Sequence, residues 1–130
     1  QHLEPGGLLA FDVFCPDFAR IAAGPSSEEQ EDFSEINLPD GRKLRRTFKL
    51  AATDRARQCN IVEIIYYLTE IDGSERRLVH EFPFRYFFRY ELEHLLELCG
   101  FQVLNIYGDF DRSELQDGSP EMIFVAKKPL

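Results

Sequence analysis

The sequence predicts an α/β domain with an inserted antiparallel β-meander, and three observations lead to this fold class. Leu8–Phe14 is apolar at nearly every residue and follows a Pro-Gly-Gly turn, which is typical of a strand buried on both faces of an α/β sheet. Residues 33–86 alternate polar and apolar side chains, as antiparallel strands do. A helix, a strand, a polar loop and a last strand occupy residues 89–126.

The composition indicates a folded, acidic protein. The chain has 130 residues, 15 Lys+Arg and 23 Asp+Glu, a net charge of −8 and 44% hydrophobic residues, so it is not a disordered tail. The acidic balance argues against nucleic acid as a partner, because nucleic-acid binding needs basic side chains. No apolar run reaches the roughly 20 residues of a membrane helix, and no basic and then apolar opening predicts a secretory signal.

The cysteines predict a reducing, cytoplasmic location. Cys15, Cys59 and Cys99 are far apart and lack CxxC spacing, so we expect reduced, mostly buried thiols and no disulfide framework. The three histidines share no ligand spacing with each other or with a cysteine. We therefore expect no metal site.

After the first strand, Pro16 favours a short helix over residues 16–23. Residues 24–33 carry four Glu or Asp residues after a Gly-Pro-Ser-Ser stretch. This pattern predicts an exposed, solvated and mobile acidic loop, and the alternative is a lid.

The meander is predicted from alternation and from turn residues. Strands are expected over residues 33–38, 42–51, 58–71 and 76–84, with turns at Pro39-Asp40-Gly41 and Asp72-Gly73. One face of the second of these strands carries Lys43, Arg45 and Lys49. We expect a solvated face partly paired with Glu63 or Glu70, and the alternative is a patch for phosphate or nucleic acid.

Residues 89–99 predict the clearest helix. Leu92, Leu95, Leu96 and Cys99 form an apolar stripe at helical spacing, and Gly100 stands where a glycine commonly ends a helix. Strands are then expected over residues 102–107 and 122–126, joined by a polar loop over residues 109–120.

Two of these segments resemble class I S-adenosylmethionine-dependent methyltransferases. Leu3-Glu4-Pro5-Gly6-Gly7, with the strand after it, resembles the L-x-P-G-G turn and fifth strand of that family. Residues 90–101 resemble its last helix, E-L-x-x-L-L-x-x-A-G-F, with Cys99 in place of the alanine. The last two strands match the family's terminal strands, the final one antiparallel between its neighbours.

The resemblance implies that residues 1–130 are the C-terminal part of a Rossmann-like methyltransferase sheet, with strands 5, 7 and 6, the last helix and a meander inserted at residues 33–86. It also implies S-adenosyl-L-methionine as the cofactor and a small-molecule methyl acceptor. In the family, a glycine-rich turn holds the cofactor, and this turn would lie upstream of Gln1. We therefore expect no cofactor-binding residue in this segment and no activity of the segment alone. We also expect a homodimer, or a non-native association, through the exposed edge of the first strand.

Substrate-side candidates follow from the rule that ligands bind beyond the carboxyl ends of parallel strands. They lie at two strand ends, in the loop after the second strand and at the entry to the helix: Asp12, Phe14, Tyr107, Asp111, Arg85 and Tyr86. Carboxylates there can orient an amine or hydroxyl, tyrosines can wall the pocket and donate a hydrogen bond, and Arg85 can bind a carboxylate or phosphate. Each has a structural alternative: backbone hydrogen bonds for Asp12, packing for Tyr86 and a surface ion pair for Arg85.

The sequence also allows a second function. The meander can be the main fold, with a helix packed across it, of a non-enzymatic module that binds a ligand or a partner. The Pro-Gly-Gly turn before an apolar strand favours the enzyme, because a free-standing meander does not need it. The sequence contains no recognised catalytic motif, so the catalytic residues stay unknown.

Overall fold

A computed structural model describes residues 2–130. Their strands and helices, in chain order, are β1 (Leu8–Phe14), α1 (Phe18–Ala23), β2 (Gln30–Asn37), β3 (Lys43–Asp54), β4 (Cys59–Thr69), β5 (Glu75–Arg85), α2 (Arg89–Leu98), β6 (Gln102–Tyr107) and β7 (Glu121–Lys127). The chain divides into two compact units. The first unit comprises residues 2–18 and 86–130, and the second comprises Ala19–Arg85.

The first unit contains an open three-stranded sheet in the order β1-β7-β6. β7 is antiparallel to both neighbours, as the sequence predicts, so β1 and β6 run parallel to each other. The carboxyl ends of β1 and β6 therefore lie at the same edge of the sheet as the amino end of β7.

One face of this sheet forms the core of the first unit. Met122, Phe124 and Ala126 alternate along β7 and are at most 2% exposed. Leu92 and Leu96 of α2 belong to the same buried cluster. Burying aliphatic and aromatic side chains of this size stabilises the fold by about 1.5–3 kcal/mol each.

The predicted apolar stripe of α2 is only half correct. Leu95 is 44% exposed, and Cys99 is an exposed free thiol beyond the helix end. Cys15 and Cys59 are also free and only half-buried, so the expectation of mostly buried thiols is wrong. Gly100 has φ +81°, which confirms the predicted glycine stop.

β1 is covered on one face only. Leu9, Phe11 and Val13 pack against the core, whereas Leu8 and Phe14 are 58% and 60% exposed. Within residues 2–130, β1 pairs with β7 alone and is an edge strand. The predicted burial on both faces is therefore not observed in this part of the chain.

The second unit contains a four-stranded antiparallel meander in the order β2-β3-β4-β5. Its strands are the predicted ones with shifted ends. Lys49 forms an ion pair with Glu63 at 3.0 Å, which confirms the expected cross-strand pairing, and Lys43 pairs with Glu35 at 2.8 Å. Ile65 in the middle of β4 is fully buried.

The acidic loop is shorter than predicted. β2 begins at Gln30, because β3 is long enough to pair with Gln30 and Glu31. Glu29 and Asp32 are held by side chains of the sheet. Residues 24–29 lie outside the strands and helices, as predicted, and the prediction of a loop is wrong from Gln30 onward, although residues 30–32 are exposed.

None of the helices formed by residues 2–130 has the length and apolar character that crossing a membrane requires.

Candidate functional site

The candidate site lies at the edge of the first unit where β1 and β6 end and β7 begins. Asp12 and Tyr107 both pair in register with Ile123, one from each side. Cross-strand partners project from the same face of a sheet. Two of the predicted residues, Asp12 and Tyr107, therefore share the face opposite the buried Met122 and Phe124.

Glu121 occupies the next position toward the same edge, paired in register with Phe14. Its N–H donates to the Gly108 carbonyl at 3.2 Å, and the Cys15 thiol donates to its backbone carbonyl at 3.2 Å. The Cys15 N–H also donates to the Pro120 carbonyl at 3.0 Å. Hydrogen bonds from both flanking segments thus fix the backbone of Glu121.

The carboxyl group of Glu121 has an unusual environment. Its Oε2 atom is buried and has no hydrogen-bond partner among residues 2–130. Burial, followed by the negative charges of Asp12 and Asp109, raises the pKa of this carboxyl. A buried acceptor of this kind is stabilised by any donor brought to it, and a raised pKa makes a carboxylate a better proton acceptor.

Cys15 is placed beside Glu121 but is not a reactive thiol. Burial, with the nearby charge of Glu121, raises its pKa. The thiolate is the nucleophilic form of cysteine, so this environment keeps Cys15 in its less reactive protonated form.

Asp111 serves a local turn. Its Oδ1 accepts the Ser113 N–H at 2.8 Å, and hydrogen bonds from the Ser113 side chain and backbone lower the pKa of its carboxyl. The contacts described for Asp111 are therefore within its own loop and do not extend to Asp12.

The two candidates near α2, Arg85 and Tyr86, belong to different units. Tyr86 packs edge-on against Phe88 at 5.8 Å between ring centroids, and Phe88 stacks on Phe18 at 5.9 Å. Arg85 is the last residue of β5 and of the second unit. The structure thus brings Asp12, Phe14 and Tyr107 together, and places Tyr86 in an aromatic cluster of the same unit.

The residues at this edge do not provide a glycine-rich cradle for a nucleoside cofactor. Gly108 follows β6, but a Cβ built there would meet the Ser119 side chain and lie 2.9 Å from the Glu114 carbonyl oxygen. The missing side chain of Gly108 therefore makes room for the chain's own loop. Residues 109–130 form no helix after Gly108, unlike the glycine turns that hold nucleotides.

A separate cavity of about 690 Å³ lies in the first unit, between α2 and β6. Its lining includes Arg89, Glu93, Val103 and Leu115. None of the six predicted substrate-side residues lines it, so this cavity and the strand-end edge are different places.

Sequence reasoning missed Glu121 and Asp109. One signal was available: when a last strand runs antiparallel between two parallel strands, its first residue lies at their carboxyl ends. Glu121 is the first residue of β7. Glu121 lies one residue before the predicted start of this strand at Met122, so the predicted strand order brings it close to the carboxyl ends of β1 and β6.

Comparison with known proteins adds evidence on the fold. No protein-family model matches the chain, and no curated protein does so. Solved structures do match. An S-adenosylmethionine-dependent methyltransferase from Clostridium acetobutylicum ATCC 824 superposes with a TM-score of 0.74 at 14% identity, over 99% of this chain and 47% of that one.

Two further solved structures also match the fold of this chain. CalS10, an amino pentose methyltransferase from Micromonospora echinaspora solved with S-adenosylmethionine bound, gives a TM-score of 0.66 at 18% identity over 98% of this chain and 46% of its own. DesVI from Streptomyces venezuelae gives 0.65 at 18% identity over 99% and 47%. The chain thus has the fold of about half of an S-adenosylmethionine-dependent methyltransferase. The family resemblance seen in the sequence is confirmed at the level of the fold.

Proposed function

We propose that this chain is the C-terminal, substrate-side segment of an S-adenosylmethionine-dependent methyltransferase that acts on a small molecule. The fold likeness, which extends over 99% of the chain, carries the proposal. In this proposal β1, β7 and β6 correspond to the family's strands 5, 7 and 6, α2 is its last helix, and residues 33–86 are the inserted meander. The chain spans about half of its structural neighbours, so the activity belongs to a longer polypeptide.

The strand-end carboxylates supply the acceptor chemistry. Asp12 and Glu121 hydrogen-bond an amine or hydroxyl and align it for in-line attack, which is the main requirement of methyl transfer. Glu121, whose pKa is raised by burial and by neighbouring carboxylates, takes the proton that the acceptor loses. Phe14 and Tyr107 form the walls beside these carboxylates. Asp111 and Tyr86, which belong to the same unit, are secondary candidates for binding substrate.

An amine is the acceptor that fits this edge best. Asp12, Asp109 and Glu121 carry negative charge at one strand end, and a protonated amine is attracted to such a site before it loses its proton. CalS10 acts on an amino pentose, which is a small molecule of this chemical class.

The cofactor supplies the methyl group when it is bound, but the residues described here do not fit it. The space beside Gly108 is occupied by residues of the loop that follows it. The other glycines of the first unit lie before β1, after α2 or in the loop before β7. We therefore expect that the chain alone neither binds S-adenosylmethionine nor transfers methyl groups.

Calorimetry with S-adenosylmethionine tests the proposal. Residues 1–130 should give no measurable heat of binding, and the natural polypeptide that includes the coding region upstream of Gln1 should bind. A glycine-rich strand–turn–helix in that upstream region supports the enzyme. An unrelated domain there, with no cofactor binding by the longer chain, contradicts the proposal and favours the module built on the meander, which does form a compact unit of its own.

A further inference from the structure

The carboxylate of Glu29 is bound by three donors on the sheet of the second unit. It accepts the Thr47 hydroxyl at 2.6 Å and the Tyr67 hydroxyl at 2.8 Å through Oε2. Arg77 donates to its Oε1 at 3.1 Å. The donors come from β3, β4 and β5, so three strands converge on one anion.

The donors are held in place independently of Glu29. Arg45, Tyr67 and Arg77 lie side by side in the register of the three strands. The Arg45 guanidinium lies 4.0 Å from the centre of the Tyr67 ring, and Arg77 donates to the Tyr67 hydroxyl at 3.3 Å. Thr47 is 5% exposed. Groups fixed in this way bind an anion with little loss of conformational freedom.

The segment that carries Glu29 is joined to the sheet by fewer backbone hydrogen bonds than the strands are. Residues 24–29 precede β2, and the Ser26 N–H donates to the Leu50 carbonyl at 2.9 Å. The Glu28 N–H donates to Ser26 Oγ within the segment. Glu29 can therefore leave its donors through a movement of a few residues, without any change in the four strands.

The charges indicate which anion fits. Arg45 and Arg77 bring two guanidinium groups around Tyr67, and Glu29 contributes a single negative charge. A phosphoryl group carries up to two charges and at least three acceptor oxygens, and guanidinium groups bind it in a bidentate manner. Glu31, which pairs with Thr47 in register, adds a carboxylate on the same face, and its repulsion lowers the affinity for a dianion more than for a monoanion.

We propose that Thr47, Tyr67, Arg77 and Arg45 form a phosphoryl-binding site that Glu29 occupies as an internal ligand. An incoming phosphoryl group exchanges with the Glu29 carboxylate and releases residues 24–29 from the sheet. The proposal does not depend on methyl transfer, and it gives a role to Arg45, one of the three basic residues on that face of β3.

The test compares two neighbouring carboxylates in the 130-residue chain. Glu29→Ala removes the internal ligand, and Glu28→Ala removes the same charge from the next position. Inorganic phosphate is titrated by NMR at constant ionic strength, with chloride as the counter-titrant. We expect Glu29→Ala to bind phosphate at least tenfold tighter than Glu28→Ala or the unsubstituted chain. Adding Arg77→Gln to Glu29→Ala should abolish this gain.

Equal phosphate affinities in folded Glu29→Ala and Glu28→Ala overturn the proposal. If Glu29→Ala does not fold, limited proteolysis of the unsubstituted chain decides: phosphate should increase cleavage within residues 24–29 severalfold, and an unchanged rate overturns the proposal. A phosphate monoester, glycerol phosphate, is titrated in parallel. Tighter binding of the ester identifies a phosphorylated metabolite as the ligand, and equal binding identifies free phosphate.

Discussion

Glu121 lies directly opposite Phe14 in the register of β1 and β7, 107 positions away in the sequence. This pairing places a carboxyl whose Oε2 atom is buried at the edge where both outer strands of the sheet end. It joins the strand that the sequence marked as substrate-side to a residue that the sequence analysis did not select.

Replacing Glu121 with glutamine should stabilise the chain at neutral pH. The pKa of Glu121 is raised by burial and by Asp12 and Asp109, so its ionisation opposes folding above the unfolded value of 4.5. We expect Glu121→Gln to raise Tm by about 3 °C at pH 7.5 and to have no effect near pH 4. Thermal unfolding followed by circular dichroism measures this, with the exposed Glu97→Gln as the control. A Tm gain that is the same at both pH values contradicts the assignment.

Replacing Glu29 with glutamine should have the opposite effect. Hydrogen bonds from Thr47, then Tyr67 and Arg77, lower the pKa of Glu29 from 4.5 to about 2. The stability that ionised Glu29 contributes to the folded chain is therefore complete above its pKa in the unfolded state. It is lost as the pH falls through its pKa in the folded state. We expect Glu29→Gln to reduce the free energy of unfolding by about 1 kcal/mol at pH 7.

Urea denaturation over pH 2–7 tests the Glu29 prediction. The difference between Glu29→Gln and the unsubstituted chain should shrink steadily from pH 4.5 toward pH 2. Glu28→Gln should differ little from the unsubstituted chain at any pH. A deficit in Glu29→Gln that persists unchanged at pH 2 rules out an ionised Glu29 as its cause.

Adding a methyl group at Gly108 should strain the loop that follows β6. The new Cβ would meet the Ser119 side chain and the Glu114 carbonyl oxygen at 2.9 Å. We expect Gly108→Ala to destabilise the chain by about 2 kcal/mol. Ser119→Gly removes one of the two obstructing groups and should recover part of the loss. Strict additivity in this double-mutant cycle would show that the two residues do not interact.

Cys99 should react with iodoacetamide faster than Cys15. Cys99 is exposed, whereas the Cys15 thiol donates to the Glu121 carbonyl at 3.2 Å and has a pKa raised by burial and by that residue. Mass spectrometry of the chain alkylated at pH 7.5 should find Cys99 modified well before Cys15. Faster modification of Cys15 contradicts the described environment. Glu121→Gln should accelerate the reaction of Cys15, because one of the two causes of its raised pKa is removed.

The edge of β1 should promote association of two chains. Leu8 and Phe14 are 58% and 60% exposed, and an exposed apolar edge strand is a template for pairing. We expect a concentration-dependent dimer by light scattering, and Leu8→Lys with Phe14→Lys should restore the monomer. A monomer at every concentration for the unsubstituted chain refutes this expectation.

Local patterns were sufficient for most of the fold. Period-two alternation and the Asp72-Gly73 turn predict the β4–β5 hairpin, because these signals depend on neighbouring residues only. The expectation for β1 is less accurate. Its nearly continuous apolar sequence shows that both faces of the strand can be buried, but it does not show whether residues 2–130 cover both of them.

The sequence by itself determined the order of strands and helices, the acidic charge and the family resemblance, since local patterns set each element and motif and the charge is a sum over residue types. Only the tertiary structure decided the chemistry of Glu121 and Glu29. The partners of Glu29 lie 18, 38 and 48 positions away, and Asp12 acts on Glu121 across the sheet. A carboxyl's pKa depends on the charges and donors that folding brings within a few ångströms, and spacing along the chain does not fix those distances.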